Sequence, residues 1–260
     1  MTTTTTPAPT AVTVRGTAIG SGRPKVIVPL TGGTLDELLE QAAAVVAAAP
    51  DVVEWRVDHL AGGRATPDEV AAAGTALRGA LGGLPLLVTI RTADEGGLAD
   101  VTDDEYVAAY RAVLGTGVVD LLDVEVTRGE DTVRTVVDLA HAAGAAVVGS
   151  NHDFDATPAR EEIVRRLLLM EARGADVLKI AVMPRDPADV LTLLAATWDT
   201  AQRASRPLIT MSMGPTGVAS RITGGVFGSA ATFGTVGRAS APGQVEVAAL
   251  RAALELLRAD

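Results

Sequence analysis

The stretch Asp176-Val177-Leu178-Lys179-Ile180-Ala181-Val182 is a short, almost continuous apolar run broken by one lysine. A run of this length bounded by polar residues reads as a strand. A strand apolar on both faces belongs to a parallel sheet covered by helices. Seven further segments have the same character: 26–30, 52–57, 86–91, 119–126, 145–150, 207–213 and 225–233. Most recur about 30 residues apart, the length of one strand–helix unit.

Helix starts lie between them. Thr34 with Glu37 makes a capping box before Leu35, Leu38, Leu39, Ala42 and Val46. Thr66-Pro67-Asp68-Glu69 supplies a cap and a proline at the first helical position. Thr102 with Glu105 repeats the box ahead of Tyr106, Tyr110, Val113 and Leu114. Asp186-Pro187 opens a helix whose apolar side reads as Val190, Leu191, Leu194 and Trp198. Val247, Leu250, Leu254 and Leu257 make the closing helix amphipathic. Eight strands alternating with helices form either a closed barrel or a doubly wound open sheet. The count of eight and the 260-residue length favour an α/β fold, a single-domain (β/α)8 TIM barrel. It is expected to occupy residues 13–260. Residues 1–12, rich in Thr, Pro and Ala, read as a disordered tail.

Composition removes several function classes. Without cysteine there is no disulfide framework and no thiolate metal site. No apolar run approaches the ~18 residues of a membrane span. No charged segment followed by an apolar stretch marks a secretory signal, so a cytoplasmic location is expected. The formal net charge of −10 repels nucleic acid. A small anionic substrate is still admissible if a local cluster of arginines overrides that field.

In a (β/α)8 barrel the site lies at the C-terminal ends of the strands. Lys179 stands in the sixth strand, where a charged side chain is expensive to bury. Burial disfavours the ammonium, and the neutral amine is the form that attacks a carbonyl, so Lys179 is a Schiff-base candidate. A closed barrel has no edge strand on which the lysine could serve to deter aggregation. A structural ion pair with a nearby acid is the alternative. The second strand ends in Glu54-Trp55-Arg56-Val57-Asp58, whose alternation puts Glu54, Arg56 and Asp58 on one face. Here an ion pair at the barrel mouth and a binding site weigh equally. The third strand ends in Arg91, with Glu95-Gly96-Gly97 in the following loop. The fifth ends in Ser150-Asn151-His152-Asp153-Phe154, and a histidine there can exchange protons near neutral pH. Met211 and Met213 in the seventh strand read first as core. The small residues around Gly234, Gly237 and Gly243 suit a loop over the mouth.

Together these segments resemble one family, the type I 3-dehydroquinate dehydratases. The resemblance is carried by Glu54-Trp55-Arg56-Val57-Asp58-His59, by Arg91 with Glu95-Gly96-Gly97, and by Ser150-Asn151-His152-Asp153-Phe154. It continues through Lys179-Ile180-Ala181-Val182-Met183-Pro184 and Ile209-Thr210-Met211-Ser212-Met213. It ends with the stretch from Ser220-Arg221 through Val226-Phe227-Gly228-Ser229-Ala230-Ala231-Thr232-Phe233-Gly234 to Ala239-Ser240-Ala241-Pro242-Gly243-Gln244. It covers the chain from about residue 15 onward.

The resemblance implies a (β/α)8 barrel, often dimeric, that removes water from 3-dehydroquinate in the shikimate pathway of aromatic amino acid biosynthesis. It implies Lys179 as the imine-forming lysine, His152 as general acid/base and Glu95 as the acid that orients His152. It implies Arg221 and Gln244, with Ser240, around the substrate carboxylate, Ala241 as a further substrate-binding position, and Glu54, Arg56 and Arg91 around the ring hydroxyls and the far side of the ring. Met213 and Phe233 would be apolar contacts. No metal or organic cofactor is implied. Pro29 and the loop Thr31-Gly32-Gly33 depart from the pattern of some members. On residues alone, a lysine-dependent aldolase or a barrel that merely binds an anion would use many of the same groups.

Overall fold

Strands and helices alternate through the computed structural model, which describes residues 9–237 and 243–257. A short antiparallel hairpin comes first, β1 (Val12–Val14) and β2 (Thr17–Ile19). Its two-residue turn places Arg15 and Gly16 at positive φ, the geometry that matches strand twist. The tail boundary expected at residue 12 therefore falls inside a strand. Thr10 is tied down as well, its N–H donating to Ser205 O at 2.8 Å. Residues 1–8 lie outside the described residues.

Eight parallel strands follow: β3 (Lys25–Leu30), β4 (Val52–Arg56), β5 (Leu86–Thr89), β6 (Leu121–Glu125), β7 (Ala146–Asp153), β8 (Val177–Val182), β9 (Leu208–Ser212) and β10 (Ala231–Thr235). Each pairs with the next from β3 to β9, and β10 pairs back onto β3. The β9–β10 seam is joined by a bridge between Leu208 and Ser229, with Ala230 N–H donating to Leu208 O at 2.6 Å. This closes the (β/α)8 barrel. A two-residue strand, β11 (Val245–Glu246), extends the sheet beside β10.

The wrapping helices are α1 (Leu35–Ala48), α2 (Pro67–Leu81), α3 (Asp103–Leu114), α4 (Glu130–Ala142), α5 (Arg160–Ala172), α6 (Pro187–Ala201), α7 (Val218–Thr223) and α8 (Val247–Leu256). All three capping boxes form, with both reciprocal hydrogen bonds, at Thr34, Thr66 and Thr102. Asp186 caps α6 by accepting from Ala188 N and Asp189 N.

Several strand boundaries and helix faces differ from the sequence reading. The eighth strand is β10 at Ala231–Thr235, because Gly224–Phe227 forms a 3-10 turn and Gly228 takes φ 107°. The fourth begins at Leu121 rather than at residue 119. On α6 the buried stripe is Val190, Leu193, Leu194 and Thr197, and Leu191 and Trp198 are exposed. On α1 it is Leu38, Ala42 and Val45, with Leu35 and Val46 outside. In both helices the apolar residues outnumber the positions that the barrel can cover.

The core has two parts. One fills the space between barrel and helices, with Trp55, Tyr106, Tyr110 and many aliphatic side chains. The other lies inside the barrel, where Ile27, Val52, Leu87, Leu121, Val148, Val177 and Ile209 meet Ile19 of the hairpin. Each such side chain contributes roughly 1.5–3 kcal/mol by leaving water. The hairpin thus plugs the N-terminal end of the barrel and leaves its C-terminal end for polar groups. Among the described residues, no helix is long and apolar enough to cross a membrane.

Candidate active site

Strand alternation builds the site. Two residues beyond Val52, Leu87, Leu121, Val148 and Val177, the next inward positions are Glu54, Thr89, Asp123, Ser150 and Lys179. All five are buried. Lys179 Nζ lies 2.9 Å from Asp123 Oδ2 and 3.3 Å from Glu54 Oε1. It also sits 4.8 Å from the ring centroid of Phe233 on β10. Thr89 Oγ1 donates to Glu54 Oε1 at 3.0 Å, which fixes that carboxylate.

Arg91, just past β5, is the hub of the charge network. It donates to Asp123 Oδ1 at 2.6 Å, Glu125 Oε1 at 2.7 Å, Ser150 Oγ at 3.1 Å and Glu95 Oε2 at 3.3 Å. Burial works against its charge, but Asp123, Glu125 and Glu95 outweigh burial and hold its pKa well above the usual value. Burial alone would raise Asp123. Arg91 and Lys179 reverse that and hold it well below the usual carboxylate range.

The loop after Arg91 brings Glu95 back over the strand ends. Gly97 packs so closely on the Arg91 carbonyl that a Cβ would lie 2.1 Å from its oxygen. Gly96 adopts φ 77° beneath the Phe154 ring, where a Cβ would also clash. The turn delivers Glu95 Oε2 to His152, which meets it through both Nδ1 (2.8 Å) and its backbone N–H (2.9 Å). The other oxygen, Oε1, accepts from Thr127 Oγ1 at 2.6 Å and Asn151 Nδ2 at 3.1 Å. Burial raises the Glu95 carboxyl, with Arg91 opposing. Burial, then the charges of Arg91 and Lys179, push His152 well below its ordinary value. Both shifts work against a charge-separated pair.

Lys179, His152, Glu95, Glu54, Arg56, Arg91, Met213, Arg221, Phe233 and Gln244 line one cavity of about 220 Å³ at the C-terminal mouth. Ser240 and Ala241 lie outside the described residues. Arg56 lines the cavity and forms a two-point pair with Asp58, each contact 2.7 Å. Arg221 is buried in the wall, and burial lowers its pKa to about 10. Its Nη1 approaches Met211 Sδ at 3.7 Å. Of the other histidines, His141 pairs on the surface with Asp176 and His59 lies 3.9 Å from Asp58. The sequence reading did not single out Asp123, Glu125, Ser150 or Thr89. Leu121-Leu122-Asp123-Val124-Glu125 nonetheless carries the signal used for Lys179, charge at inward positions of an apolar strand.

A buried lysine, a histidine–carboxylate pair and several arginines thus converge on one pocket. The family model of type I 3-dehydroquinase matches residues 26–260. The chain belongs to the type I 3-dehydroquinase family. The 3-dehydroquinate dehydratase of Klebsiella pneumoniae subsp. pneumoniae is 52% identical over 248 residues, covering 95% of this chain and 98% of that one. The structure of the type I 3-dehydroquinate dehydratase from Clostridium difficile, solved with covalently modified comenic acid, matches with a TM-score of 0.92. It is 42% identical and covers 96% of this chain and 98% of that chain. The Geobacillus kaustophilus 3-dehydroquinate dehydratase matches with a TM-score of 0.92 at 36% identity, covering 96% and 97%. As a type I 3-dehydroquinase the chain is a hydro-lyase, which sets aside the aldolase and the non-enzymatic readings.

Proposed function

We propose that the chain dehydrates 3-dehydroquinate to 3-dehydroshikimate by syn elimination through a Schiff base on Lys179. One observation carries the reading: Lys179 and the His152–Glu95 pair face the same cavity, with arginines in its walls. The covalent modification of comenic acid in the Clostridium difficile structure supports a covalent route.

The chemistry requires a proton to leave the carbon beside a ketone. A neutral carbonyl stabilises the resulting negative charge poorly. Lys179, once deprotonated, adds to the ketone carbon, and loss of water gives an iminium, a much better electron sink. In the resting site its ammonium is paired with Asp123 and Glu54, so a proton must leave first. His152, which burial keeps unprotonated, is the acceptor on the same cavity wall. His152 returns the lysine's proton to the carbinolamine hydroxyl as that first water leaves, and as free base it then takes the proton from the adjacent carbon; the C–H electron pair becomes the C=C bond of an enamine and the C=N pair settles on nitrogen. The enamine expels the hydroxyl group, to which His152 returns the proton, so one water leaves. Hydrolysis of the conjugated iminium frees the product and Lys179. The lysine is the electron sink, and the route needs neither metal nor organic cofactor.

Glu95 holds the imidazole by Nδ1 and steadies the imidazolium while it exists, as the carboxylate of a catalytic triad does. Arg221, with Gln244, Ser240 and Ala241, would receive the substrate carboxylate, since a guanidinium grips one through two hydrogen bonds. Glu54, Arg56 and Arg91 would meet the ring hydroxyls, and Met213 and Phe233 the ring itself. A cytoplasmic homodimer completes the reading; sedimentation should give twice the chain mass.

The test is to add 3-dehydroquinate and follow the ultraviolet absorbance of the conjugated product. Steady production is expected. Inert mixtures at high protein concentration would refute the assignment.

A further inference from the structure

Glu95 orients His152, but a carboxylate on a loop needs something to orient it in turn. Three groups reach it besides His152. Arg91 touches Oε2 at 3.3 Å and is shared among four acceptors. Thr127 donates to Oε1, but it is an exposed residue, and water can replace its hydroxyl. Asn151 is different. It is buried, and its Nδ2 donates to Oε1 at 3.1 Å. Its Oδ1 accepts from Arg166 Nη1 at 3.0 Å.

The orientation of that amide is over-determined. A guanidinium can only donate, and an ionised carboxylate can only accept. The amide oxygen must therefore face Arg166 and the nitrogen must face Glu95. Arg166 projects from α5 on the outside of the barrel. Glu162 Oε1 holds its Nε at 2.8 Å, and Asp153 Oδ2 lies 3.3 Å from Nη1. A continuous hydrogen-bonded chain thus runs Glu162–Arg166–Asn151–Glu95–His152, from an outer helix into the cavity.

We infer that Asn151, clamped by Arg166, is the positioning residue that aims Glu95 at His152. The inference rests on the roles proposed above for His152 and Glu95. It assigns work to two residues that touch no substrate. A buried amide that donates to a carboxylate favours the charged form of the acid, and the charged form is the one that steadies an imidazolium. The other charges facing Glu95 are Arg91, Asp123 and, through mutual repulsion, Glu125. Those facing His152 are Arg91, Lys179, Asp123 and Arg56. All stay in place when only the amide changes.

The experiment compares the parent with Asn151→Ala, the isosteric Asn151→Asp and Arg166→Ala in steady-state assays across pH. Loss of a buried hydrogen bond to a charged group predicts that Asn151→Ala lowers kcat about 10–100-fold, with little change in KM. Its acid limb should move to higher pH, because Glu95 without its donor becomes easier to protonate. Asn151→Asp keeps the shape but turns a donor towards Glu95 into an acceptor. It should lose at least as much activity and shift in the same direction. Arg166→Ala should give the same shift, but smaller. Arg166→Lys should recover part of it.

Parent-like pH profiles in folded Asn151 variants would overturn the inference, as would losses that track only the amount of folded protein. If the Asn151 variants do not fold, Arg166→Ala on the half-exposed helix decides by the same criterion. Failure of the parent to turn over 3-dehydroquinate would instead bring down the functional reading itself.

Discussion

Inside the lower barrel, Ile27, Val52, Leu87, Leu121, Val148, Val177 and Ile209 pack on Ile19 of the plugging hairpin. Two residues further along five of those strands stand Glu54, Thr89, Asp123, Ser150 and Lys179. The same backbone produces both levels, and burial is near complete at each. What differs is how burial is compensated. The lower level contributes stability by removing apolar surface from water. The upper level spends stability, because each buried charge must be matched, and Arg91 alone answers three carboxylates. An interior filled to the top with aliphatic side chains would be the more stable barrel. The polar level is there for chemistry.

The largest effect that can break this comparison is at Lys179. Lys179→Met replaces the ammonium with an apolar chain of similar length. Turnover of 3-dehydroquinate should vanish, while the thermal midpoint falls only modestly, since Asp123 retains Arg91 and Glu54, though it loses its cation, retains Thr89. A large drop in midpoint alongside the lost activity would mean that the lysine is structural. His152→Ala comes next, with kcat expected to fall about 10²–10⁴-fold and the fold to remain intact.

A lower-level change should do the reverse. Leu87→Ala is expected to cost about 2–5 kcal/mol in denaturant unfolding while leaving kcat unchanged. The smallest effect lies in the pH profile. Burial and the neighbouring cations lower the His152 pKa, so the base stays unprotonated below its ordinary value. The acid limb of kcat/KM should therefore fall below about 6.5. A limb above that value would show the Glu95 carboxylate dominating the imidazole.

Most of the scaffold was legible because its signals are local. The capping boxes at Thr34, Thr66 and Thr102 form as their spacing implies. Lys179 stood out because a lysine between Leu178 and Ile180 violates the apolar pattern. Asp123 and Glu125 violate the same pattern and passed unremarked, since their meaning depends on Lys179 and Arg91, distant in sequence. The hairpin was missed for a similar reason. Val12-Thr13-Val14 and Thr17-Ala18-Ile19 become informative only when the barrel bottom is there to cover. The exposed Leu191 and Trp198 show the opposite limit, for helical period alone does not say which apolar positions a curved sheet can reach. The link from Arg166 to Glu95 through Asn151 is a side-chain matter throughout, and no periodicity encodes it.

In the proposed mechanism the substrate ketone becomes an imine on Lys179. Borohydride reduction in the presence of 3-dehydroquinate, followed by peptide mass analysis, tests it most directly. A stable secondary amine on the peptide that carries Lys179 is expected, together with loss of activity. Dehydration that proceeds with no lysine trapped would contradict it and point to a non-covalent enolate route.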